Sequence, residues 1–127
     1  MLKTLLVEDN LIYLSVLKSA LKKKYVDIEI IVSSCDTEAL SAIDTYKPDL
    51  VIMDIDLNCE LNGLELTKII KAKYHETVVI VLSEHDIPEY RLIAQQNGAD
   101  GFLAKSSSLK SILDNLGSTL VPQSAVT

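Results

Sequence analysis

Leu50-Val51-Ile52-Met53 is an unbroken apolar run that stops abruptly at Asp54-Ile55-Asp56. Four consecutive apolar residues leave no polar face, so the segment is predicted as a strand buried on both sides, with Asp54 where the strand leaves the core. The chain repeats this pattern. Leu5-Leu6-Val7 stops at Glu8-Asp9-Asn10, Val78-Val79-Ile80-Val81-Leu82 at Ser83-Glu84, and Gly101-Phe102-Leu103 at Ala104-Lys105. The run from Ile28 to Val32 contains Glu29 and is flanked by Asp27 and Ser33, which an edge strand tolerates.

Helical spacing fills the intervals. Leu14, Leu17 and Leu21 follow the acidic turn, where Asn10 or a neighbour is the expected cap, and Lys22-Lys23-Lys24 closes that helix with cations at the negative end of its dipole. Asp36 is expected to cap a helix carrying Ala39, Leu40 and Ile43, which ends before Pro48-Asp49. Residues 57 to 63 read as a loop, and Leu66, Ile69, Ile70 and Tyr74 as the inner face of the next helix. Pro88 opens a helix with Leu92, Ile93 and Ala94 that stops at Asn97-Gly98, and the serines at 106 to 108 can cap a last helix carrying Leu109, Ile112, Leu113 and Leu116.

Strand then helix, five times over, with strands too apolar to alternate, calls for a parallel sheet covered on both faces. Right-handed crossovers make it an α/β, flavodoxin-like, doubly wound (βα)5 fold with a five-stranded sheet in the order 2-1-3-4-5. The length of 127 residues suits one domain, expected over residues 1–117, with 118–127 as a tail or the start of a linker.

Charge and cysteine usage exclude several functions. A net charge of −6 opposes nucleic acid contact by this domain, because such contact rests on Lys and Arg neutralising phosphates. Cys35 and Cys59 lie far apart without a CxxC, so neither a zinc site nor a disulfide framework is expected, and two lone thiols suit a reducing cytoplasm. No apolar run approaches the ~18 residues of a membrane span, and the chain opens straight into a strand, so a cytoplasmic location without membrane contact is expected. His75 and His85 read as surface residues.

In the predicted order every polar strand end faces one edge of the sheet, so Glu8, Asp9, Asp54, Asp56 and Ser83 meet in one cleft. Lys105, two strands from Asp54, has ~10 Å to cover, which its side chain nearly spans. Carboxylates so close repel one another and call for a cation. All the donors are hard oxygens, which selects Mg²⁺, Mn²⁺ or Ca²⁺, and few protein ligands with room for water and phosphate oxygens favour Mg²⁺.

With these residues in place the chain resembles a receiver domain of a two-component response regulator, over essentially residues 2 to 117. The resemblance rests on Glu8-Asp9, Asp54, Ser83, Phe102 and Lys105 in that order at successive strand ends, and Phe102-Leu103-Ala104-Lys105-Ser106-Ser107-Ser108 is similar to receivers of helix-turn-helix transcription regulators. It implies a signalling domain, not an ordinary enzyme. Asp54 would be the phosphoacceptor, taking a phosphoryl group from a histidine kinase or phosphotransfer protein. Asp9 and Asp54 would bind Mg²⁺ directly, Glu8 through water and Asp56 through its backbone carbonyl, while Lys105 and Ser83 would contact the phosphoryl oxygens. Ser83 and Phe102 would act as the switch pair, altering the face of the fourth helix, fifth strand and fifth helix. The output would be transcription through a further domain, and the family leaves room for a homodimer through the fourth and fifth helices.

The chain departs from the family pattern in three places. The stretch between Asp54 and Gly63 is longer than usual and free of proline, which predicts a more mobile metal loop; Asp56 adds a carboxylate; and Glu84 stands where a small residue is usual. Three other readings compete. One is a stand-alone receiver acting through protein contacts, and another a pseudo-receiver or flavodoxin-like binding module. The third is a phosphatase, because Asp54-Ile55-Asp56 resembles the DxD opening of haloacid-dehalogenase-type enzymes. That motif would close the first strand of a larger domain, whereas here it closes the third.

Overall fold

Alternation along each strand sorts the core before any helix is placed. The computed structural model describes residues 2–120. Five parallel strands, β1 (Leu2–Val7), β2 (Ile28–Ser33), β3 (Leu50–Asp54), β4 (Val78–Ser83) and β5 (Gly101–Ala104), stand in the order β2-β1-β3-β4-β5, as the sequence predicts. Leu5, Val7, Val51, Met53, Val79 and Val81 point to one side and pack with α2 (Asp36–Tyr46), α3 (Gly63–Lys73) and α4 (Pro88–Gln96). Their neighbours Leu6, Leu50, Ile52, Ile80 and Leu82 point to the other, against α1 (Leu11–Lys24) and α5 (Leu109–Leu120). Each such Leu, Ile or Val contributes roughly 1.5–3 kcal/mol by leaving water, which is why β3 and β4 carry no polar residue before their carboxyl ends.

Capping follows the chemistry of the turns. The Asn10 side chain accepts from the Ile12 and Tyr13 N–H groups, and Ser108 Oγ accepts from Ser111 N–H, both as expected. Asp36, expected as a cap, is instead the first residue of α2, with Cys35 at the cap position. Its buried carboxylate accepts from Thr37 N–H in its own helix and from Leu61 N–H across the chain, a tertiary partner that spacing alone could not reveal. At α3, Asn62 and Glu65 form a reciprocal capping box. The buried face there is Leu64, Leu66, Thr67 and Ile70, whereas Ile69 is exposed. The α4 helix buries only Ala94 and leaves Leu92 and Ile93 exposed, because it lies over the edge strand β5 and has core on one side only. The α5 helix runs past Gly117 to Leu120, whose side chain packs on the α1/α5 core, so residues 118–120 of the expected tail are helical. Residues 121–127 of that tail lie outside the described residues.

One glycine ties this framework to the chemistry. Gly63 N–H donates to the Ile55 carbonyl at 3.1 Å, and a Cβ on Gly63 would collide with the Asp54 backbone carbonyl oxygen. Gly63→Ala is therefore expected to lower stability by roughly 1–3 kcal/mol, as overpacking a tight site does. Urea unfolding measures this directly, and an unchanged midpoint would show that the β3–α3 connection relaxes without strain.

Candidate functional site

Register brings the charged strand ends together. Val7 pairs with Met53, so Glu8 lies alongside Asp54; Asp54 pairs with Leu82, and Ser83 with Ala104, so Lys105 comes one step later on the far side. The two-residue period also assigns faces. Glu8, Asp54 and Lys105 follow Leu6, Ile52 and Leu103 by two residues each and continue the α1/α5 face, whereas Ser83 and Phe102 continue the other.

The result is a charged triad at the carboxyl edge of the sheet. Lys105 Nζ lies 2.6 Å from Glu8 Oε1 and 3.3 Å from Asp54 Oδ1. Glu8 is only 4% exposed and Asp54 2%. The other Glu8 oxygen accepts from Asn10 N–H at 3.0 Å, and Asp54 Oδ1 accepts from Asp56 N–H at 3.3 Å. Burial, and then the neighbouring Glu8 carboxylate, push the Asp54 carboxyl up to about 7 against the opposing pull of Lys105. Burial alone would lower the Lys105 ammonium, but Glu8 and Asp54 outweigh it and hold the ammonium above the ordinary lysine value. The lysine thus reaches both carboxylates, and Glu8 is held by direct contacts to Lys105 and Asn10.

Glu8, Asp9 and Asp54 offer carboxylate oxygens within 4.8 Å of one another, with Asp9 exposed at the mouth. Such a cluster of hard oxygens, one of them on an acid made reluctant to ionise by burial and then by Glu8, fits a small divalent cation. Asp56 stands at the same edge with its side chain exposed, next to Glu84 and His85, the three presenting ligand atoms within 4.8 Å. The exposed Asp56 and Glu84 carboxylates add negative charge at the approach to the site.

Ser83 and Phe102 are placed but occupied. The buried Ser83 hydroxyl donates to the His85 carbonyl at 2.8 Å and accepts from His85 N–H at 3.0 Å, so it closes its own turn. The Phe102 ring is half-buried beneath the Arg91 guanidinium, 4.7 Å from its centroid, and Arg91 is itself paired with Asp86. The loop over residues 55–62, expected to be mobile for want of proline, is held by Asp36 to Leu61, by Cys59 Sγ to Asp36 N–H, and by buried Ile55 and Leu57.

Sequence reasoning overlooked Tyr13. Its ring lies 4.6 Å below Lys105 Nζ, an arrangement that holds the ammonium over the carboxylates. Burial raises the Tyr13 phenol above its ordinary value, and Lys105, Glu8 and Asp54 all act on it. An aromatic in the first turn after the acidic pair was the available signal. Tyr13→Leu is expected to slow any reaction that depends on Lys105 by about three- to ten-fold, while Tyr13→Phe keeps the cation–π contact and stays near the parent rate. Rate measurements on the two variants separate the ring from the hydroxyl.

Known proteins share this fold. The model of the response regulator receiver domain family matches residues 4–116. The transcriptional regulatory protein DegU of Brevibacillus brevis is 30% identical over 89 residues, covering 69% of this chain and 37% of that protein. The oxygen regulatory protein NreC of Staphylococcus aureus is 31% identical over 88 residues, covering 68% of this chain and 41% of that protein. The chain thus spans about two fifths of the length of these curated relatives. Among solved structures, the BeF3-activated receiver domain of Klebsiella pneumoniae RstA superposes with a TM-score of 0.86 at 23% identity, covering 94% of this chain and 99% of that one. A CheY-like receiver domain from Methanospirillum hungatei superposes at 0.85 with 21% identity, covering 94% of both chains, which shows the shared fold.

Proposed function

The chain belongs to the response regulator receiver domain family, and from that premise we propose that Asp54 accepts a phosphoryl group from a phosphohistidine on a partner kinase or phosphotransfer protein. The observation that carries this is the Asp54 carboxylate, buried at the tip of the middle strand with the Lys105 ammonium 3.3 Å away. An Asp54 oxygen attacks phosphorus, the bond from phosphorus to the imidazole nitrogen breaks, and the imidazole leaves, giving an acyl phosphate.

The surrounding residues do the electrostatic work that a loose phosphoryl-transfer transition state needs. Lys105 neutralises charge on the phosphoryl oxygens, moving part of its contact from Asp54 to the incoming group while Tyr13 holds it from below. Glu8, pinned by Asn10 N–H, keeps the lysine protonated and in place. Receiver domains generally bind Mg²⁺, and here Asp9 and Asp54, with Glu8 behind them and Asp56 beside them, are the residues proposed to hold an ion that would offset phosphoryl charge. Ser83 donates to the phosphoryl group only by giving up the bond it donates to the His85 carbonyl. Phe102 shares the Ser83 face of the sheet, so the exchange is transmitted toward α4, β5 and α5, a bias on a two-state surface.

Transcription control is the output we propose, on the likeness to DegU, described as a transcriptional regulatory protein. A histidine kinase as donor, a cytoplasmic location, self-assisted dephosphorylation and a homodimer through α4 and α5 belong to the same proposal. Among the described residues no helix is long and apolar enough to cross a membrane. The phosphatase reading loses ground, because Asp54 closes β3 and its partner across the site is a lysine.

Incubation with acetyl phosphate followed by intact mass tests the proposal. One phosphoryl group per chain is expected with Mg²⁺ and none after chelation. No modification with any small donor in the presence of Mg²⁺ would defeat it. Glu84→Ala removes one of the three exposed carboxylates at the mouth, leaving Asp9 and Asp56. Near-surface repulsion worth ~1 kcal/mol predicts phosphorylation by an anionic donor about two- to five-fold faster. Equal rates for parent and variant would show that Glu84 faces away from the donor's approach.

A further inference from the structure

The two cysteines, distant in the sequence, meet in the fold. Cys59 Sγ accepts from Asp36 N–H at 3.2 Å, and Asp36 is joined directly to Cys35. Standard backbone dimensions place an amide nitrogen about 2.4 Å from the preceding Cα, so Cys59 Sγ lies within ~5.6 Å of the Cys35 Cα. Both thiols are free and only partly buried. The Cys35 thiol lies 3.5 Å from the Thr37 hydroxyl and 3.6 Å from Glu38 Oε1, contacts at the α2 terminus that a χ1 rotation releases. Cys59 sits in the loop after Asp56, between the Asp36 amide and the Leu61 carbonyl.

We propose that Cys35 and Cys59 form a thiol–disulfide pair, a modification site for small disulfide oxidants that staples the loop after Asp56 to the start of α2. Closure needs that loop and the Cys35 side chain to shift by an ångström or two to reach disulfide geometry. Burial pushes the Cys59 thiol up, so the first attack falls to Cys35. The Cys35 thiolate attacks one sulfur of glutathione disulfide, its proton passing to solvent; the glutathione S–S bond breaks and one glutathione thiolate leaves. The Cys59 thiolate then attacks the Cys35 sulfur of the mixed disulfide and expels the second glutathione. Two protein thiols are oxidised, one disulfide is reduced, and the protein loses two hydrogens.

The bond closes on the segment that begins beside Asp54. Asp56 N–H donates to Asp54, and Leu61 N–H to Asp36, so the cross-link falls between these two anchors. Oxidation therefore bears on the same loop that positions Asp56, without touching Glu8, Asp54 or Lys105.

The test treats reduced full-length protein with glutathione disulfide, quenches with N-ethylmaleimide, and reads intact mass and peptide maps. Expected are a loss of two hydrogens, no maleimide uptake, and a Cys35–Cys59 cross-linked peptide. The cross-link should form roughly ten-fold faster in folded protein than in urea, because the fold supplies the effective concentration. Cys59→Ser, which keeps an acceptor for the Asp36 amide, should trap glutathione on Cys35. Two thiols still taking up maleimide, glutathione adducts on both cysteines, cross-links between molecules only, or a rate no faster than in urea would each overturn the pairing.

Discussion

Asp54→Asn leaves the protein unphosphorylated by acetyl phosphate or kinase under conditions that add one phosphoryl group to the parent. The amide keeps the shape of the side chain and an acceptor for Asp56 N–H, now 3.3 Å from Asp54 Oδ1. It loses the nucleophilic oxygen pair, and no neighbour can replace it. Glu8 is tied up by Lys105 and Asn10, while Asp9 and Asp56 are exposed and not covered by the lysine. The expected fall in rate is at least about a hundred-fold, the scale of losing a covalent nucleophile. Intact mass checks it, and peptide mapping guards against a surrogate acceptor. A phosphorylated Asn variant would mean that the acceptor is another carboxylate and that Asp54 only shapes the site.

The second large effect is on stability. The Asp54 carboxyl is pushed up to about 7 from an ordinary 3.8, chiefly by burial and then by Glu8. An acid whose folded pKa lies above its unfolded value binds its proton more tightly when folded. Its contribution is therefore fully present at low pH and drains away as pH rises from about 4 to about 7, amounting to a few kcal/mol. Glu38, through bonds from Ser34, and Asp44, through bonds from Tyr74 and Lys73, are held below their ordinary values and act in the opposite direction at lower pH. The difference between the parent and Asp54→Asn isolates the term. In chelator, the Asn variant should be more stable than the parent at pH 8, and the advantage should shrink toward pH 4. Adding Mg²⁺ should raise the parent melting temperature at pH 8 by several degrees, much less at pH 5, and hardly at all in the variant, since binding requires the ionised ligand. A parent curve flat across this range, with or without Mg²⁺, would show that Asp54 ionises freely and that the triad neutralises itself.

Much of this was legible in one dimension because the physics is local. An apolar run such as Val78-Val79-Ile80-Val81-Leu82 cannot expose either face, so it must be an interior strand, and an acidic or hydroxylic residue after such a run must sit at an edge. Caps at Asn10 and Ser108 were readable because the side chain bonds backbone only two or three residues away. Interactions that cross the chain were not readable. Asp36 looks like a cap until Leu61 reaches it; Leu92 and Ile93 look like core until the sheet edge runs out beneath them; and Gly117 looks like an ending until Leu120 finds a place on the second core.

The residues at the strand ends, their order and their chemistry belong to the primary structure, which is why Glu8, Asp9, Asp54, Ser83, Phe102 and Lys105 could be named from it. What they touch is set by register and by alternation. Pairing Val7 with Met53 and Ser83 with Ala104 turns Glu8, Asp54 and Lys105 to one face and Ser83 and Phe102 to the other, so that the charged triad and the Ser83–Phe102 pair occupy opposite sides of one sheet edge. A slip of one residue would reverse every side chain. The Tyr13 ring under Lys105 and the Cys59 sulfur on the Asp36 amide come from the same cause: packing a helix or a loop against the sheet joins residues that no local periodicity connects.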